Sequence, residues 1–197
     1  VEESVSNPEK YFKNNTENAI KLFQVCEEND LKNIIFSSTA AAYGNPVDDK
    51  PLNEESLLKP LNPYGESKIK TEKYLQTNSN LSHVILRYFN VAGADPKMRS
   101  GLISKKATHL IKIASEVAVG KKDKLVINGD DYNTKDGTTV RDYIHVSDLA
   151  DIHIKSLDHI NSKLKSLILN CGYGKGYSVL DIVNIFKKMN KNLTINF

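Results

Sequence analysis

Two short apolar runs, each ending in small polar residues, constrain the fold of this 197-residue chain most strongly. The runs KNIIFSS (32–38) and HVILRYFN (83–90) have the length and the β-branched content of buried strands. A helical pattern that begins at Asn62-Pro63 lies between them. A strand, a helix and a second strand in this order are typical of a parallel sheet whose connections cross over it. The sequence therefore predicts an α/β fold with a parallel sheet.

Helices and strands alternate along the rest of the chain as well. Asn7-Pro8 predicts a helix start, because asparagine caps helices and proline suits the first helical position. Apolar spacing carries this helix to about residue 29, and Ser178 with Asp181 has capping-box spacing before a last helix. The other predicted elements are strands at 124–129, 140–146 and 166–172, helices at 102–119 and from Ser147 to about 159, and a turn-like stretch at 1–6.

Composition narrows the class of protein. The chain is 40% hydrophobic and 26% charged, and its net charge is +3. Its lysines are scattered, so we expect no nucleic-acid interface, and no run of about 18 apolar residues predicts a membrane span. Cys26 and Cys171 lie in apolar runs, which predicts buried free thiols and favours a reducing compartment such as the cytoplasm. The Cys and His spacings predict no metal site.

Polar residues gather where the predicted strands end, which is where ligands bind in parallel α/β sheets. FSSTAAAYG (36–44) follows one strand, and Tyr88, Phe89 and Asn90 end the next. Tyr64 and Lys68 are four residues apart at the start of the intervening helix, so they share one face. A free tyrosine is a poor base at neutral pH, but a nearby ammonium favours the phenolate form. With a hydroxyl from Ser38 or Thr39, such a pair could remove a proton from an alcohol.

Four stretches together resemble one known family: SSTAAAYG (37–44), NPYGESK (62–68), LRYFNVAGA (86–94) and NGDDYNTKDGTTVRDYIHVSDLADIH (128–153). They are similar to the extended short-chain dehydrogenase/reductase family, and within it to the nucleotide-sugar epimerases. The resemblance covers nearly the whole chain, and the last stretch is its most specific part. It implies a Rossmann-like doubly wound parallel sheet, incomplete at the N-terminus, with a smaller C-terminal substrate-binding lobe.

The resemblance also implies a reaction, a cofactor and partners. It implies NAD, a UDP-sugar substrate, and interconversion of UDP-glucose and UDP-galactose by reversible oxidation at carbon 4. The full-length protein is expected to be a homodimer in which the helices at 8–29 and 63–78 pack against their copies. Tyr11, Phe12 and Leu75 are expected to serve either that interface or the core.

Roles of single residues follow from the positions that match the family. Tyr64 is implied as the base, Lys68 as the residue that tunes it and holds the nicotinamide ribose, and Thr39 as a partner of the sugar hydroxyl. The positions implied to contact NAD are Asn14, Ser37, Ser38, Thr39, Tyr64, Lys68, Tyr88 and Phe89. The positions implied to contact the substrate are Thr39, Tyr64, Asn90, His109, Leu110, Asn128 and Arg141.

Several of these positions have a structural alternative. Asn14 and His109 could be ordinary exposed helix residues. Arg141 is implied to pair with the diphosphate, a role that suits a guanidinium group, but it could equally form an ion pair with Asp142 or Asp148. These alternatives stay open at the level of sequence.

One local difference separates epimerases from their relatives. The dehydratases of the same family carry an Asp-Glu pair directly after the threonine at the strand end, because loss of water needs an acid and a base. Here Ala40 and Ala41 follow Thr39. The sequence therefore favours epimerisation, which needs one base and a reversible hydride acceptor.

The glycine-rich motif that binds the pyrophosphate of NAD is not found in this sequence. The glycines of CGYGKGYS are 172, 174 and 176, which is not the G-x-G-x-x-G spacing. We predict a partial NAD-binding domain with the catalytic residues at 1–95, and a mainly substrate-binding lobe at 96–197 whose elements return to the sheet. Two other functions stay open: another nucleotide-sugar epimerase or a decarboxylase of this family, and a non-catalytic fragment of such an enzyme.

A first prediction concerns the 197-residue chain by itself. Because it carries the Tyr64–Lys68 pair without the glycine-rich motif, we expect it to bind NAD poorly and to be inactive alone. The check is the absorbance of cofactor released when the purified chain is denatured. Stoichiometric NAD in that supernatant would contradict the prediction.

Overall fold

Alternating helices and strands make up the chain, as the sequence predicts. The computed structural model describes residues 2–46, 50–104, 108–163, 165–189 and 194–196. The helices are α1 (Glu2–Ser6), α2 (Pro8–Phe12), α3 (Asn18–Glu28), α4 (Pro63–Thr77), α5 (Leu110–Ala118), α6 (Val146–Lys163) and α7 (Val179–Met189), with a π-helical segment at Lys13–Glu17 and a 3₁₀ turn at Ala40–Ala42. The strands are β1 (Asn33–Thr39), β2 (Ser82–Tyr88), β3 (Asn90–Ala92), β4 (Leu125–Val126), β5 (Val140–His145), β6 (Leu167–Cys171), β7 (Gly176–Ser178) and β8 (Ile195–Asn196).

In the described residues the strands form three small sheets, and most of their pairs are parallel. The first sheet has the order β1-β2-β6, in which Ser37 lies opposite Leu86 and Thr39 opposite Tyr88. The second has the order β3-β5-β7, and its β5-β7 pair is antiparallel. The third pairs β4 with β8 in parallel. The parallel α/β prediction is thus confirmed.

The chain divides into two units that interleave in sequence. The first unit consists of Val1–Phe89 and Ala150–Cys171, and the second of Asn90–Leu149 and Gly172–Phe197. Each unit has its own apolar core. The first core packs α3 and α4 against β1 and β2, and its buried members are Phe23, Cys26, Phe36, Leu75, Leu81 and Ile85. The second packs α5 and α7 around β4, and its buried members are Ala114, Val117, Leu125, Ile127 and Val183.

Local capping signals locate three of the predicted helix starts, those at Asn7, Asn62 and Ser178. The side chain of Asn62 accepts a bond from Gly65 N at 2.9 Å, and that of Asn7 accepts one from Lys10 N at 3.4 Å. Ser178 forms the expected capping box, because its Oγ accepts from Asp181 N at 2.9 Å while the Asp181 carboxylate accepts from Ser178 N at 3.0 Å. These contacts join neighbours in sequence, so the sequence alone predicts them.

Several predicted boundaries are wrong, among them that of the strand predicted at 124–129, which covers only Leu125–Val126. Residues 2–6 form helix α1 instead of a turn, because Glu3 of that helix bonds Lys10 Nζ at 2.5 Å and Tyr11 OH at 3.0 Å. Helix α5 begins only at Leu110, and residues 102–104 before it are exposed and irregular, while 105–107 lie outside the described residues. Helix α6 begins at Val146 instead of after Ser147 and runs to Lys163.

The sequence predicts buried free cysteines and no membrane-spanning segment. Cys26 and Cys171 are both buried and unpaired, as expected, and burial raises the pKa of the Cys171 thiol to about 11. In the parts of the chain that the structure describes, no helix has the length and apolarity that crossing a membrane requires.

Leu75 provides a test of the first core. It is 1% exposed and packs among the buried residues of that core, so it serves the core. We expect Leu75→Ala to lower the free energy of unfolding by about 2–5 kcal/mol through the cavity it leaves. Urea denaturation measures the loss. The matched control is Leu157→Ala on α6, where the side chain is 45% exposed, and an equal loss in both variants would contradict the assignment.

Candidate active site

The start of helix α4 places Tyr64 and Lys68 on one face. Asn62 caps the helix and Pro63 occupies its first position, which fixes the first turn. Because residues four apart lie one above the other on a helix, the phenol and the amine project from the same side. The sequence-predicted pair is therefore present on a regular helix.

Lys68 ties this face to the end of strand β1. Its Nζ donates to the carbonyl oxygen of Ser37 at 2.9 Å and lies 4.9 Å from the centre of the Phe36 ring. Burial lowers the pKa of Lys68, and the charge of Glu72 one turn further along the helix partly opposes this shift. The ammonium is thus held at the carboxyl end of the strand, where the sequence analysis expects the ligand.

Tyr64 is held by close packing at the helix start. Its ring meets the ring of Tyr11 edge to face, with centroids 6.1 Å apart. The next residue, Gly65, has no room for a side chain, because a Cβ there would lie 2.6 Å from the carbonyl oxygen of Ala41. Gly65 thereby lets the first turn of α4 approach the 3₁₀ turn that follows Thr39. Sequence reasoning missed this role, although the glycine directly follows the predicted base.

Thr39 and Ser38, adjacent at the end of β1, have different partners. Thr39 is 8% exposed, and its Oγ1 accepts a bond from Ala41 N at 3.1 Å, so its hydroxyl proton is not used in that bond. Ser38 is 2% exposed and donates its hydroxyl to the carboxylate of Glu72. Of the two hydroxyls suggested by the sequence, that of Ser38 is therefore engaged with Glu72.

A chain of hydroxyl and imidazole contacts runs across the end of the first sheet. Ser37 Oγ lies 2.7 Å from Tyr88 OH, and Tyr88 OH lies 2.7 Å from Nε2 of His153 on α6. Burial raises the pKa of the Tyr88 phenol. The structure thus joins two residues predicted to contact the cofactor, Ser37 and Tyr88. His153 was missed, although it ends the longest stretch that resembles the family.

A buried polar network lies among β1, β2 and α4. Arg87 NH2 lies 2.7 Å from the carboxylate of Glu72, and the two side chains are 3% and 1% exposed. Arg87 also donates to Tyr43 OH at 2.9 Å, and Tyr43 OH donates to Asn170 on β6 at 2.6 Å. Burial lowers the pKa of Arg87, but the bonds to Glu72 and Tyr43 outweigh it and the net shift is upward. Sequence analysis assigned no role to Glu72 or Arg87.

Two other residues of the first unit, Asn14 and Phe89, are predicted to contact the cofactor. Asn14 lies in the π-helical segment, is exposed, and accepts a bond from Asn18 at 3.3 Å. Its neighbour Asn15 contacts α4 instead, donating to Ser67 Oγ at 3.1 Å. Phe89 is half-buried, and its backbone N–H donates to the Cys171 carbonyl at 3.1 Å. The cofactor role of Asn14 and Phe89 stays a prediction.

The predicted substrate contacts beyond β2 belong to the second unit. Leu110 packs against the core of that unit, and the other members of this set are exposed: Asn90, His109, Asn128 and Arg141. Arg141 donates to the carbonyl of Val140 at 2.7 Å, and the Asp142 carboxylate accepts instead from the backbone N–H of Tyr173 and Gly174. The guanidinium of Arg141 is thus exposed at the surface of its unit.

In the stretch most typical of the family, Asp136 anchors the loop that precedes β5. Its carboxylate accepts from Thr138 N at 3.0 Å, from Thr138 Oγ1 at 2.8 Å and from Ser178 Oγ at 2.5 Å. The bond from Ser178 and those from Thr138 hold the pKa of Asp136 below its usual range. Among the residues that the structure describes, no three His, Cys, Asp or Glu side chains gather as a metal site would require.

Comparisons with known proteins agree on one family. Residues 1–172 match the NAD dependent epimerase/dehydratase family. The chain is 47% identical over 192 residues to a UDP-glucose 4-epimerase of Azospirillum brasilense, which covers 96% of this chain and 55% of that protein. It is 45% identical over 192 residues to a UDP-glucose 4-epimerase of Streptococcus mutans, covering 96% of this chain and 57% of the relative. The chain therefore spans about half the length of these relatives.

Solved structures show the same likeness over the whole chain. The UDP-glucose 4-epimerase of Brucella ovis in complex with NAD matches with a TM-score of 0.92 at 38% identity, covering 100% of this chain and 61% of that one. The enzyme of Bifidobacterium longum in complex with NAD⁺ and UDP matches with a TM-score of 0.89 at 38% identity, covering 98% and 59%. The fold is thus Rossmann-like α/β, and this chain belongs to the NAD-dependent epimerase/dehydratase family.

Proposed function

We propose that the protein containing this chain interconverts UDP-glucose and UDP-galactose by reversible oxidation at carbon 4 of the sugar, with NAD as cofactor. One observation carries the proposal: Lys68 Nζ is anchored on the Ser37 carbonyl, 2.9 Å away, on the helix face that also bears Tyr64. The curated relatives named as UDP-glucose 4-epimerases support the reaction, and the related structures with bound NAD and UDP support the cofactor and the nucleotide.

The residues at the end of β1 fit the nicotinamide side of NAD. An ammonium has three N–H groups, and the Ser37 carbonyl uses one from Lys68, so two remain for the ribose hydroxyls. Lys68 and Tyr64 would hold the ribose, while the exposed Ser37 and the half-buried Tyr88 would lie beside the ring. When bound, NAD supplies a reversible hydride acceptor for carbon 4.

The chain's own residues supply the proton chemistry. Tyr64 as phenolate takes the proton of the sugar 4-hydroxyl, and the ammonium of Lys68 stabilises that phenolate. Thr39 donates a hydrogen bond to the same sugar oxygen and keeps its proton, since its own oxygen already accepts from Ala41 N. The protonated Tyr64 returns its proton after the sugar has turned over, so the residues end as they began.

The 3₁₀ turn after Thr39 favours epimerisation over elimination. Ala40 and Ala41 occupy the positions where a dehydratase of the family carries its acidic pair. A methyl group can neither donate a proton to a leaving hydroxyl nor accept one from carbon 5. The turn therefore leaves Tyr64 as the group that carries the proton chemistry in this proposal.

In this proposal the two units bind different ligand groups. The first unit contributes to the NAD site, because it contains the Tyr64–Lys68 pair and the end of β1. The second contributes to the UDP site, and the exposed guanidinium of Arg141 suits a diphosphate. Binding energy from the UDP part of the substrate holds the keto-sugar while its ring turns over.

A conservative change at Tyr64 tests the reaction. In the longest gene product that contains this chain, we expect Tyr64→Phe to lower kcat by a factor of about 10²–10⁴, because the phenyl ring cannot move a proton. The measurement is the ratio of UDP-glucose to UDP-galactose at timed intervals, starting from either sugar. UDP-N-acetylglucosamine is assayed beside them, because a UDP-Glc/GlcNAc 4-epimerase of Campylobacter jejuni is 45% identical in structure-based comparison.

The control is Tyr74→Phe on the same helix. The Tyr74 ring stacks on Phe23 in the first core, with centroids 6.4 Å apart, away from the Lys68 face. We expect this variant to keep kcat within about twofold of the parent, since its hydroxyl has no part in the proposed proton transfer. Full activity in Tyr64→Phe would overturn the proposed function.

The protein forms a homodimer through α3 and α4 in this proposal. Leu22 and Val25 lie one turn apart on α3 and are 58% and 52% exposed, which leaves an apolar surface without cover in the single chain. Of the three side chains considered from the sequence, Leu75 belongs to the core, and Phe12 is half-buried with Lys70 Nζ 4.3 Å from its ring centre.

Charge substitutions on α3 test the homodimer. We expect the double variant Leu22→Glu/Val25→Glu to sediment as a monomer, because burying two carboxylates from each protomer in the interface is unfavourable. Leu157→Glu, at a 45% exposed position of α6, is the control and is expected to sediment like the parent. A parent that is monomeric at all concentrations would contradict this part of the proposal.

A further inference from the structure

Glu72 is a fully buried carboxylate that the proposed mechanism does not use. Its side chain is 1% exposed, and it lies on α4 two turns beyond Tyr64 and one turn beyond Lys68. The four-residue spacing of these three residues places them along one face of the helix. A charge is costly to bury, so each of its hydrogen bonds matters.

The carboxylate joins two strands to the helix. On one side it accepts three hydrogen bonds from Arg87 of β2: Nε lies 3.2 Å from each carboxylate oxygen, and NH2 lies 2.7 Å from Oε2. On the other side it accepts the hydroxyl proton of Ser38 on β1. Arg87 and Ser38 are each 2% exposed, so water does not compete for these bonds. Glu72 therefore fixes the end of β1 at a set distance from α4.

Ser38 lies between the two residues of β1 that the reaction needs. The carbonyl of Ser37 before it anchors Lys68 Nζ, and Thr39 after it carries the hydroxyl assigned to the sugar. A shift of Ser38 would move both neighbours relative to α4, because the three residues share one extended backbone. The Glu72–Ser38 bond is thus a second side-chain contact, beside that of Lys68 with the Ser37 carbonyl, that holds this segment against α4.

We propose that Glu72 is a positioning residue for the reaction: through Ser38 it sets the distance of Thr39 and of the Ser37 carbonyl from Tyr64 and Lys68. This inference rests on the proposed function for its effect on turnover, but its effect on the strand end is independent of any activity. A buried ion pair is weak grounds for stability by itself, since an apolar replacement of both partners is often as stable. The Ser38 contact adds a further effect to that pair, because it fixes the end of β1 against α4.

Ser38→Ala is the sharpest test, because it removes the hydroxyl and leaves the Glu72–Arg87 pair in place. In the longest gene product containing the chain, we expect a fall in kcat of about tenfold with KM for the UDP-sugar within about twofold, as small displacements of reacting groups mainly slow the chemical step. Glu72→Gln is expected to act in the same direction, because a neutral amide oxygen is a weaker acceptor for the Ser38 hydroxyl than a carboxylate. The double variant is expected to be no slower than the slower single variant, because both changes act on one contact.

The matched control is Glu66→Gln, which removes a carboxylate from the same helix. Glu66 pairs with Lys70 at 3.1 Å on the exposed surface, where both side chains are about half exposed. We expect its kcat to stay within about twofold of the parent, since an exposed pair contributes little. Multiplicative losses from Ser38→Ala and Glu72→Gln would instead assign Ser38 a separate contact with the cofactor and overturn the proposal.

Hydrogen exchange gives a measurement that does not need activity. In Ser38→Ala we expect the amides of residues 37–43 to exchange faster by up to about tenfold, the factor that corresponds to one lost hydrogen bond, while those of α3 stay unchanged. Unchanged exchange at 37–43 would overturn the positioning role whether or not the parent is an epimerase. Faster exchange in an inactive parent would leave that role standing and reject the proposed function alone.

Discussion

The ion pair between Glu72 of α4 and Arg87 of β2 links the helix that carries Tyr64 and Lys68 to the sheet. Both side chains are almost fully buried, so their charges have no water to solvate them. Such a pair is tolerated only when the remaining donors and acceptors are also satisfied, and here Ser38 and Tyr43 complete it. This link therefore joins α4 to β1 through Ser38 and to β2 through Arg87.

The network explains why the first sheet and α4 present their polar ends together. Tyr43 accepts a hydrogen bond from Arg87 and donates one to Asn170 of β6. One group of polar side chains therefore joins β1, β2 and β6. Nearer the start of α4, Lys68 binds the Ser37 carbonyl, and Gly65 allows the first turn of the helix to approach the 3₁₀ turn closely. A buried network of this kind specifies a single arrangement, which is what a site with fixed distances needs.

The sequence predicted three helix starts correctly because the contacts that cap these helices join residues close in sequence. The caps at Asn7 and Asn62 and the capping box at Ser178 and Asp181 were predicted because each involves residues three apart. Helix α1 was missed because its stabilising contacts lead from Glu3 to Lys10 and Tyr11, beyond a single turn. The start of α5 was placed too early because apolar residues at 102 and 103 continued a helical period although both are exposed.

The sequence by itself determined the alternating α/β pattern, the helix that begins at Asn62, and the Tyr64–Lys68 pair on one face, because four-residue spacing on a helix admits no other outcome. Only the tertiary structure decided what those side chains meet. It gave the Ser38 hydroxyl to Glu72, joined His153 to Tyr88, and placed Leu75 in the core. These contacts link residues far apart in sequence, so which partner each buried polar group takes depends on which helices and strands pack against one another.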